Sequence, residues 1–452
     1  MKQVDFDHGS IAGNLAQTTV PMMVAQLLSL LYNIVDRIYI GRIPGAGTLA
    51  LGGVGLCFPI LTIVLAFANL YGVGGSPLCA IARGSGDHEK AEKVMNTSFG
   101  LLIATALILT AITQILAEPT LYLFGATDAN IVYALPYIRI YLLGTVFSMI
   151  ATGLNPYINA QGYSAVGMIT IFIGALTNII LDPLFIFVLG MGTEGAAIAT
   201  VISQILSALF VVRFLTSGKT ELSLSLNPRK VFAFEWGMVK DIVGLGFASF
   251  IMQFTNSLAA ILSNHMLSAY GGELYVSAYT VVASVRQILD VPIGAITDGS
   301  SPILGYNYGA GRFTKLKRAI RIITYTGVGY TLVVWGLILA FPGSFFRIFS
   351  SDTELISLGT RGLRIYFFAF LFQALQYTGQ NVFRSLNHKK EAIFFSLFRK
   401  VIIVVPLTVI LPGFFRMGTD GVFMAEPISN VIGGCACFLT MYLTIYRKLR
   451  EK

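Results

Sequence analysis

The sequence predicts an all-α membrane protein, with twelve transmembrane helices in two pseudo-symmetric six-helix bundles. Three observations carry that expectation. The 452 residues are 55% hydrophobic and only 12% charged, whereas a soluble globular chain is about 25% charged. The apolar residues gather in windows of about twenty, the length that crosses a bilayer as a helix. The second half of the chain repeats the first at a nearly fixed offset.

In order, the apolar windows fall at 14–40, 49–79, 94–117, 131–158, 165–190 and 193–216. A polar stretch, Ser217 to Glu235, then interrupts the pattern with Lys219, Glu221, Arg229 and Lys230. The later windows are 239–268, 276–304, 318–342, 355–383, 392–413 and 418–446. The expected division is a first lobe at 1–216, a linker at 217–238 and a second lobe at 239–452.

Charge fixes the expected orientation. Arg83, Lys90 and Lys93 follow the second window, and the polar stretch follows the sixth. Arg312, Lys315, Lys317, Arg318 and Arg321 follow the eighth, and His388, Lys389 and Lys390 follow the tenth. The chain ends Arg447-Lys448-Leu449-Arg450-Glu451-Lys452. Alternate loops are nearly bare of Lys and Arg, with Arg42, Arg347 and Arg416 the main exceptions. Basic residues mark the cytoplasmic side, so both termini are expected there. The net charge of +9 follows from this pattern and does not mark a nucleic-acid groove. The first window is too long for a cleavable signal. The four cysteines lie in apolar stretches without disulfide or metal spacing.

The repeat is specific. Ser76-Pro77, Gly84, Gly86 and Lys90 return as Ser301-Pro302, Gly309, Gly311 and Lys315, all 225 positions later. Arg139-Ile140-Tyr141 returns as Arg364-Ile365-Tyr366 at the same offset. Met191-Gly192-Thr193-Glu194-Gly195 returns as Met417-Gly418-Thr419-Asp420-Gly421, one position further. An even number of helices per half implies a parallel repeat about an axis along the membrane normal. Such duplicated bundles facing a cavity are a transporter architecture, though the repeat alone does not exclude a channel.

Polar residues inside the spans point to function. Asp182 lies in the run Asn178-Ile-Ile-Leu-Asp182-Pro183, and a carboxylate there costs about 2.5–3.5 kcal/mol on insertion scales. Asn178 lies one turn away on the same face. Pro183 has no N–H to give to the Ile179 carbonyl. Together they offer oxygen ligands for a hard cation or a proton; the bland alternative is an Asp182 paired for packing. Asp36 and Thr200 are expected at a similar depth, roughly 9–12 Å below the outer surface. Arg37 points about 100° from Asp36 on a helix and neutralises it poorly.

The second half lacks that arrangement. Arg286 and Asp290 are spaced i, i+4 and are expected to neutralise each other, with a substrate contact as the alternative. Gln253, Asn256, Gln373, Gln376 and Gln380 form uncharged stripes that either line a wet cavity or bond helix to helix. Pro21 is expected to be a hinge or a static bend of the first helix. The aromatic residues offer surfaces for aromatic cations, although most face lipid or pack. Gly52-Gly53-Val54-Gly55 and Gly72-Val73-Gly74-Gly75 suit close helix packing. No P-loop exists for ATP, and no hydrolase or zinc motif is present, with the four histidines dispersed. An enzyme is not expected.

The chain resembles the multidrug and toxic compound extrusion (MATE) transporters over nearly its whole length. The resemblance rests on Pro21, Asp36, Asn155-Pro156, the Asn178 to Pro183 run, and Gly192-Thr193-Glu194-Gly195-Ala196-Ala197 leading to Thr200. It implies a V-shaped pair of lobes around a central cavity. It also implies Na⁺ or H⁺ binding at Asp36, Asn178, Asp182 and Thr200, with Asn155 and Tyr32 nearby and Pro21 as the point where helix 1 bends. Members with a second-lobe cation site carry acidic residues where this chain has Gln253 and Gln373/Gln376. The general look is of a bacterial multidrug-type member. The implied activity is antiport: Na⁺ or H⁺ enters while an organic cation leaves, in the cell membrane, as a monomer in lipid. No cofactor, ATP or nucleic acid is expected. The rival is a lipid-precursor flippase of a related superfamily, disfavoured by twelve spans and few mid-membrane basic residues.

Overall fold

The computed structural model describes residues 3–348 and 352–449, so Arg450, Glu451 and Lys452 of the basic tail lie outside the described residues. The described residues are almost entirely helical. They divide into two compact units: residues 1–7 with 20–246, and 8–19 with 247–452. The expected linker therefore belongs with the first unit, and the start of the first helix with the second.

The first unit begins along α1 (Ile11–Gly41), which stays helical through Pro21. The span expected at 49–79 is broken into α2 (Gly47–Gly55) and α3 (Phe58–Gly84). Pro59 stands in the first turn of α3 and has no N–H to donate to the Gly55 carbonyl, so a turn at Leu56 and Cys57 replaces a continuous helix. Next come α4 (His88–Leu123), α5 (Ile131–Leu143) and α6 (Thr145–Ala160). The pair α5 and α6 is one apolar stretch bent by 58° at Gly144. Then come α7 (Ser164–Pro183), a π-helical turn over Leu184–Val188, and α8 (Gly192–Leu215). Pro183 lacks the N–H of a regular turn, and the wider π turn follows it directly.

The polar stretch after α8 holds the short α9 (Pro228–Val231) and is strapped to the ends of α3, α4 and α6. Side chains satisfy its extended backbone. Gln161 Oε1 accepts from Leu222 N–H at 3.0 Å, Glu92 from Ser223 at 2.7 Å and Asn96 from Ser225 at 2.8 Å. Arg83, buried, donates to Glu221 at 2.6 Å and to the Ala160 carbonyl at 3.1 Å.

The second unit takes most of α10 (Trp236–Gly271), then α11 (Glu273–Gly309), α12 (Phe313–Ala340) and the short α13 (Pro342–Arg347). It continues with α14 (Thr353–Phe367), a 3-10 turn at Phe370–Phe372 and α15 (Gln373–Ser385), with a bend of 41° between the two helices. The eleventh span is α16 (Lys389–Leu397), a π-helical segment Phe398–Val404, and α17 (Val405–Gly413). The last is α18 (Gly418–Met441), continued by a π-helical turn to Tyr446. Among the described residues, ten helices are long and apolar enough to cross a membrane, twelve spans if each bent pair counts as one.

The duplication is visible in packing. In the first unit α3 packs on α4 and α6, and α8 on α6 and α7. In the second, α11 packs on α12 and α15, and α18 on α15 and α17. Glycines at equivalent places take the left-handed conformation that other residues resist. Gly86 and Gly311 have φ of 80° and 69°, and Gly192 and Gly418 both 55°. Of the glycine-rich runs, the one at 72–75 serves helix contact, since a Cβ on Gly72 would lie 2.6 Å from the Gly153 carbonyl oxygen. In the other run, only Gly53 is in such contact.

Candidate cation site

Asp182 ends α7 fully buried, and Asn178 lies one turn before it, also buried. Asn178 Nδ2 donates to Asp182 Oδ1 at 3.1 Å and to Thr200 Oγ1 at 3.2 Å. Thr200, on α8, donates its own hydroxyl hydrogen bond to the Ala196 carbonyl at 2.9 Å. A carboxylate, an amide and a hydroxyl from two helices therefore form one chain.

Small residues make that approach feasible. A Cβ on Gly195 would lie 2.8 Å from the Phe185 backbone, so α8 lies tight against the π turn that follows Asp182. Ala196, Ala197 and Ala199 are fully buried in the same helix. The Gly192 to Ala197 run is thus a packing device that brings Thr200 to Asn178.

Asp36, on α1, completes the group, its carboxyl within hydrogen-bonding reach of Asp182. Neither carboxylate supplies a proton for that contact while both are ionised. Asp36 Oδ1, Asn178 Oδ1 and Asp182 Oδ2 are accordingly all buried without a hydrogen-bond partner. A buried acceptor left unpaired costs about 1–3 kcal/mol, more when charged. Arg37 lays its guanidinium over the Phe58 ring, 4.3 Å from the centroid. Tyr32 sits one turn from Asp36, within electrostatic reach of Asp36, Asp182 and Tyr141.

These oxygens fit a hard monovalent cation or a proton. Among the described residues no three His, Cys, Asp or Glu side chains gather as a metal-binding group. The set is therefore two carboxylates helped by an amide and a hydroxyl.

Asn155 is placed elsewhere. Its Nδ2 donates to the Gly167 carbonyl at 2.9 Å, and its Oδ1 accepts from Asn159 at 3.3 Å. Gly167 lies in the first turn of α7, about 16 Å along the helix from Asn178. Asn155 thus ties α6 to α7 at the end remote from the cation group.

The second unit holds a charged group that sequence reasoning missed. Arg286 does reach Asp290, at 3.2 Å, but it also donates to Tyr366 at 2.8 Å, to Gln373 at 3.2 Å and to Glu426. Gln373 in turn donates to Asp290 at 2.6 Å. Glu426 accepts from Lys400 at 3.0 Å and pairs with Arg399 at 3.3 Å. Isolated neutralisation of Arg286 by Asp290 is therefore only part of the arrangement. The second half also carries the mid-span basic residues Arg286 and Lys400, buried, and Arg399, half-buried, each tied to a carboxylate. A signal existed: Glu426 stands 226 positions after Thr200, in the register of the Met-Gly-Thr repeat.

The glutamine stripes divide. Gln380 bonds helix to helix, donating to the Ala392 carbonyl and to Ser396, both at 2.7 Å. Gln376 is buried with its Oε1 unpartnered. Gln253 is half-buried and Asn256 exposed.

Duplicated bundles of membrane spans with uncompensated carboxylates inside one of them define a polytopic membrane transporter. The chain belongs to the MatE family, whose model matches residues 21–184 and 248–410, one stretch in each half. It is similar to the multidrug export protein MepA of Staphylococcus haemolyticus, 25% identical over 97% of this chain and 94% of that one. MepA of Staphylococcus aureus strain MSSA476 is 23% identical over 97% of this chain and 95% of its own length. A crystal structure of a MATE protein in the bent conformation superposes with a TM-score of 0.92 at 25% identity, covering 99% of both chains.

Proposed function

We propose that this protein is a multidrug exporter that works by antiport, letting Na⁺ or H⁺ in while an organic cation leaves. The observation that carries the reading is the trio of buried, unpartnered oxygens on Asp36, Asn178 and Asp182. Two adjacent carboxylates brought together from two apolar spans repel each other until a cation or proton joins them. The relatives named as multidrug export proteins support the export of drugs.

The ion's affinity differs between conformations, and that difference moves the conformational equilibrium. Asp36 lies on α1, whose first residues group with the second unit and whose remainder groups with the first. A shift of α1 about Pro21 on ion binding therefore links the ion group to the rest of the cycle. The driving force is the ion gradient plus about 2.3 kcal/mol per net charge for each 100 mV. One-for-one exchange of monovalent cations leaves only the ion gradient. The protein acts without ATP, in the cell membrane, with both termini in the cytoplasm.

The test is ethidium efflux from proteoliposomes, with a sodium gradient or a pH gradient imposed separately. Efflux driven by sodium makes Asp36, Asn178, Asp182 and Thr200 a metal site. Efflux driven by pH makes the two aspartates a proton relay oriented by Asn178 and Thr200. No efflux under either gradient refutes the reading, and binding of lipid-linked pyrophosphates would then identify a flippase.

A further inference from the structure

Among the described residues, the charges gathered around Arg286 and Glu426 do not balance. Arg286, Arg399 and Lys400 face Asp290 and Glu426, three cations against two carboxylates. The side chains of Arg286, Arg399, Lys400 and Glu426 are 11%, 12%, 9% and 5% exposed, and Asp290 is the most open at 24%. Lys400 lies about 16 Å along its span, near the middle of the bilayer, where an excess charge is expensive.

Arginine keeps its proton under all ordinary conditions, whereas a buried lysine exchanges it readily. Of the three cations, only Lys400 can bring the group to neutrality. Its ammonium makes both of its hydrogen bonds to Glu426, at 3.0 and 3.2 Å. Glu426 keeps two arginines when that bond changes. Lys400 and Arg399 are neighbours, yet both reach the same carboxylate, and both lie in the π-helical segment Phe398–Val404. Such segments recur at functional sites.

We propose that Lys400 and Glu426 form a proton-exchange site, the Lys400 ammonium releasing its proton and recovering it once per transport cycle. Export then moves a second ion besides the one held at Asp36 and Asp182, which makes exchange for a monovalent cation electrogenic. This step rests on the antiport reading above. The balance is simple: Lys400 goes from ammonium to amine, the proton leaves to water, and Glu426 stays ionised between Arg286 and Arg399. The charged groups on Glu426 besides Lys400 are Arg286 from α11 and Arg399 beside Lys400, and Asp290 holds Arg286. Tyr279 from α11 and Tyr366 from α14 lie within electrostatic reach of Glu426, and Tyr377 from α15 within reach of Arg286, Arg399, Asp290 and Asp298. From α10 the small apolar Ala259 packs on the neighbouring Val404 and Ala425.

The test compares the full-length wild type with Lys400→Arg and Lys400→Met by potentiometric titration in detergent across the neutral range. Lys400→Arg keeps the charge, Lys400→Met removes it, and neither can exchange a proton, so one folded variant suffices. Each is expected to lack one proton equivalent that the wild type exchanges. In proteoliposomes, Lys400→Arg is expected to lose the response of ethidium export to membrane potential. A titration matching the wild type, or an unchanged potential response, overturns the proposal. Asp182→Asn keeps the Lys400 proton step while losing export. If it retains both, the antiport reading fails and the proton site stands.

Discussion

Asp182→Asn isolates the first-unit carboxylate with the least disturbance, because the amide has the same shape and meets the same neighbours. In the wild type, the two carboxylates sit together with three oxygens unpartnered. Neutralising one removes a charge worth about 2.5–3.5 kcal/mol on insertion scales. The new amide can also donate to Asp36, adding about 1.5–3 kcal/mol for a bond to a charged group. The ion-free mutant should therefore melt above the ion-free wild type. The wild type should gain about 2.7 kcal/mol when its coupling ion stands at a hundred times its Kd, and Asp182→Asn should gain almost none. The assay is thermal melting in detergent, with sodium against choline and at acid against neutral pH. A mutant that keeps the wild-type response to both ions would refute the assignment of Asp182.

Asp36→Asn should weaken ion binding by about tenfold, the equivalent of one modest bond, and leave slow export, because Asp182 remains. If Asp36→Asn proved more damaging to efflux than Asp182→Asn, the two roles would be exchanged. Thr200→Val removes the acceptor for Asn178 Nδ2 and should lower ion affinity by about tenfold, with the melting point in ion-free buffer nearly unchanged; a direct ion titration reads this. Gly195→Ala places a Cβ 2.8 Å from the Phe185 backbone. It should destabilise the first unit by about 1–3 kcal/mol, seen as a lower melting point with or without ions.

How much was readable in the sequence depends on the range of the interaction. The spans were legible because hydrophobic length is a local property. The breaks at Leu56–Cys57 and Gly144 escaped because hydropathy does not register a missing N–H at Pro59 or a bend at one glycine. Asp182 and Asn178 stood out because a single apolar helix carried both at i, i+4. Thr200 joined them through a depth argument, and Gly195 explains why α8 comes close enough. The Glu426 group was missed because its members come from five separate helices, and the i, i+4 pair Arg286 and Asp290 offered a self-sufficient local explanation. Asn155 entered through resemblance, and its bonds to Gly167 and Asn159 place it at the other end of α7.

The most direct test of the coupling claim measures ion entry and ethidium exit in the same proteoliposomes, with ethidium moving against its own gradient. The account predicts that wild-type vesicles take up the coupling ion as they expel ethidium uphill, and that Asp182→Asn abolishes both fluxes together. Uphill ethidium export that persists in Asp182→Asn, at the wild-type rate and under the same ion gradient, would contradict it.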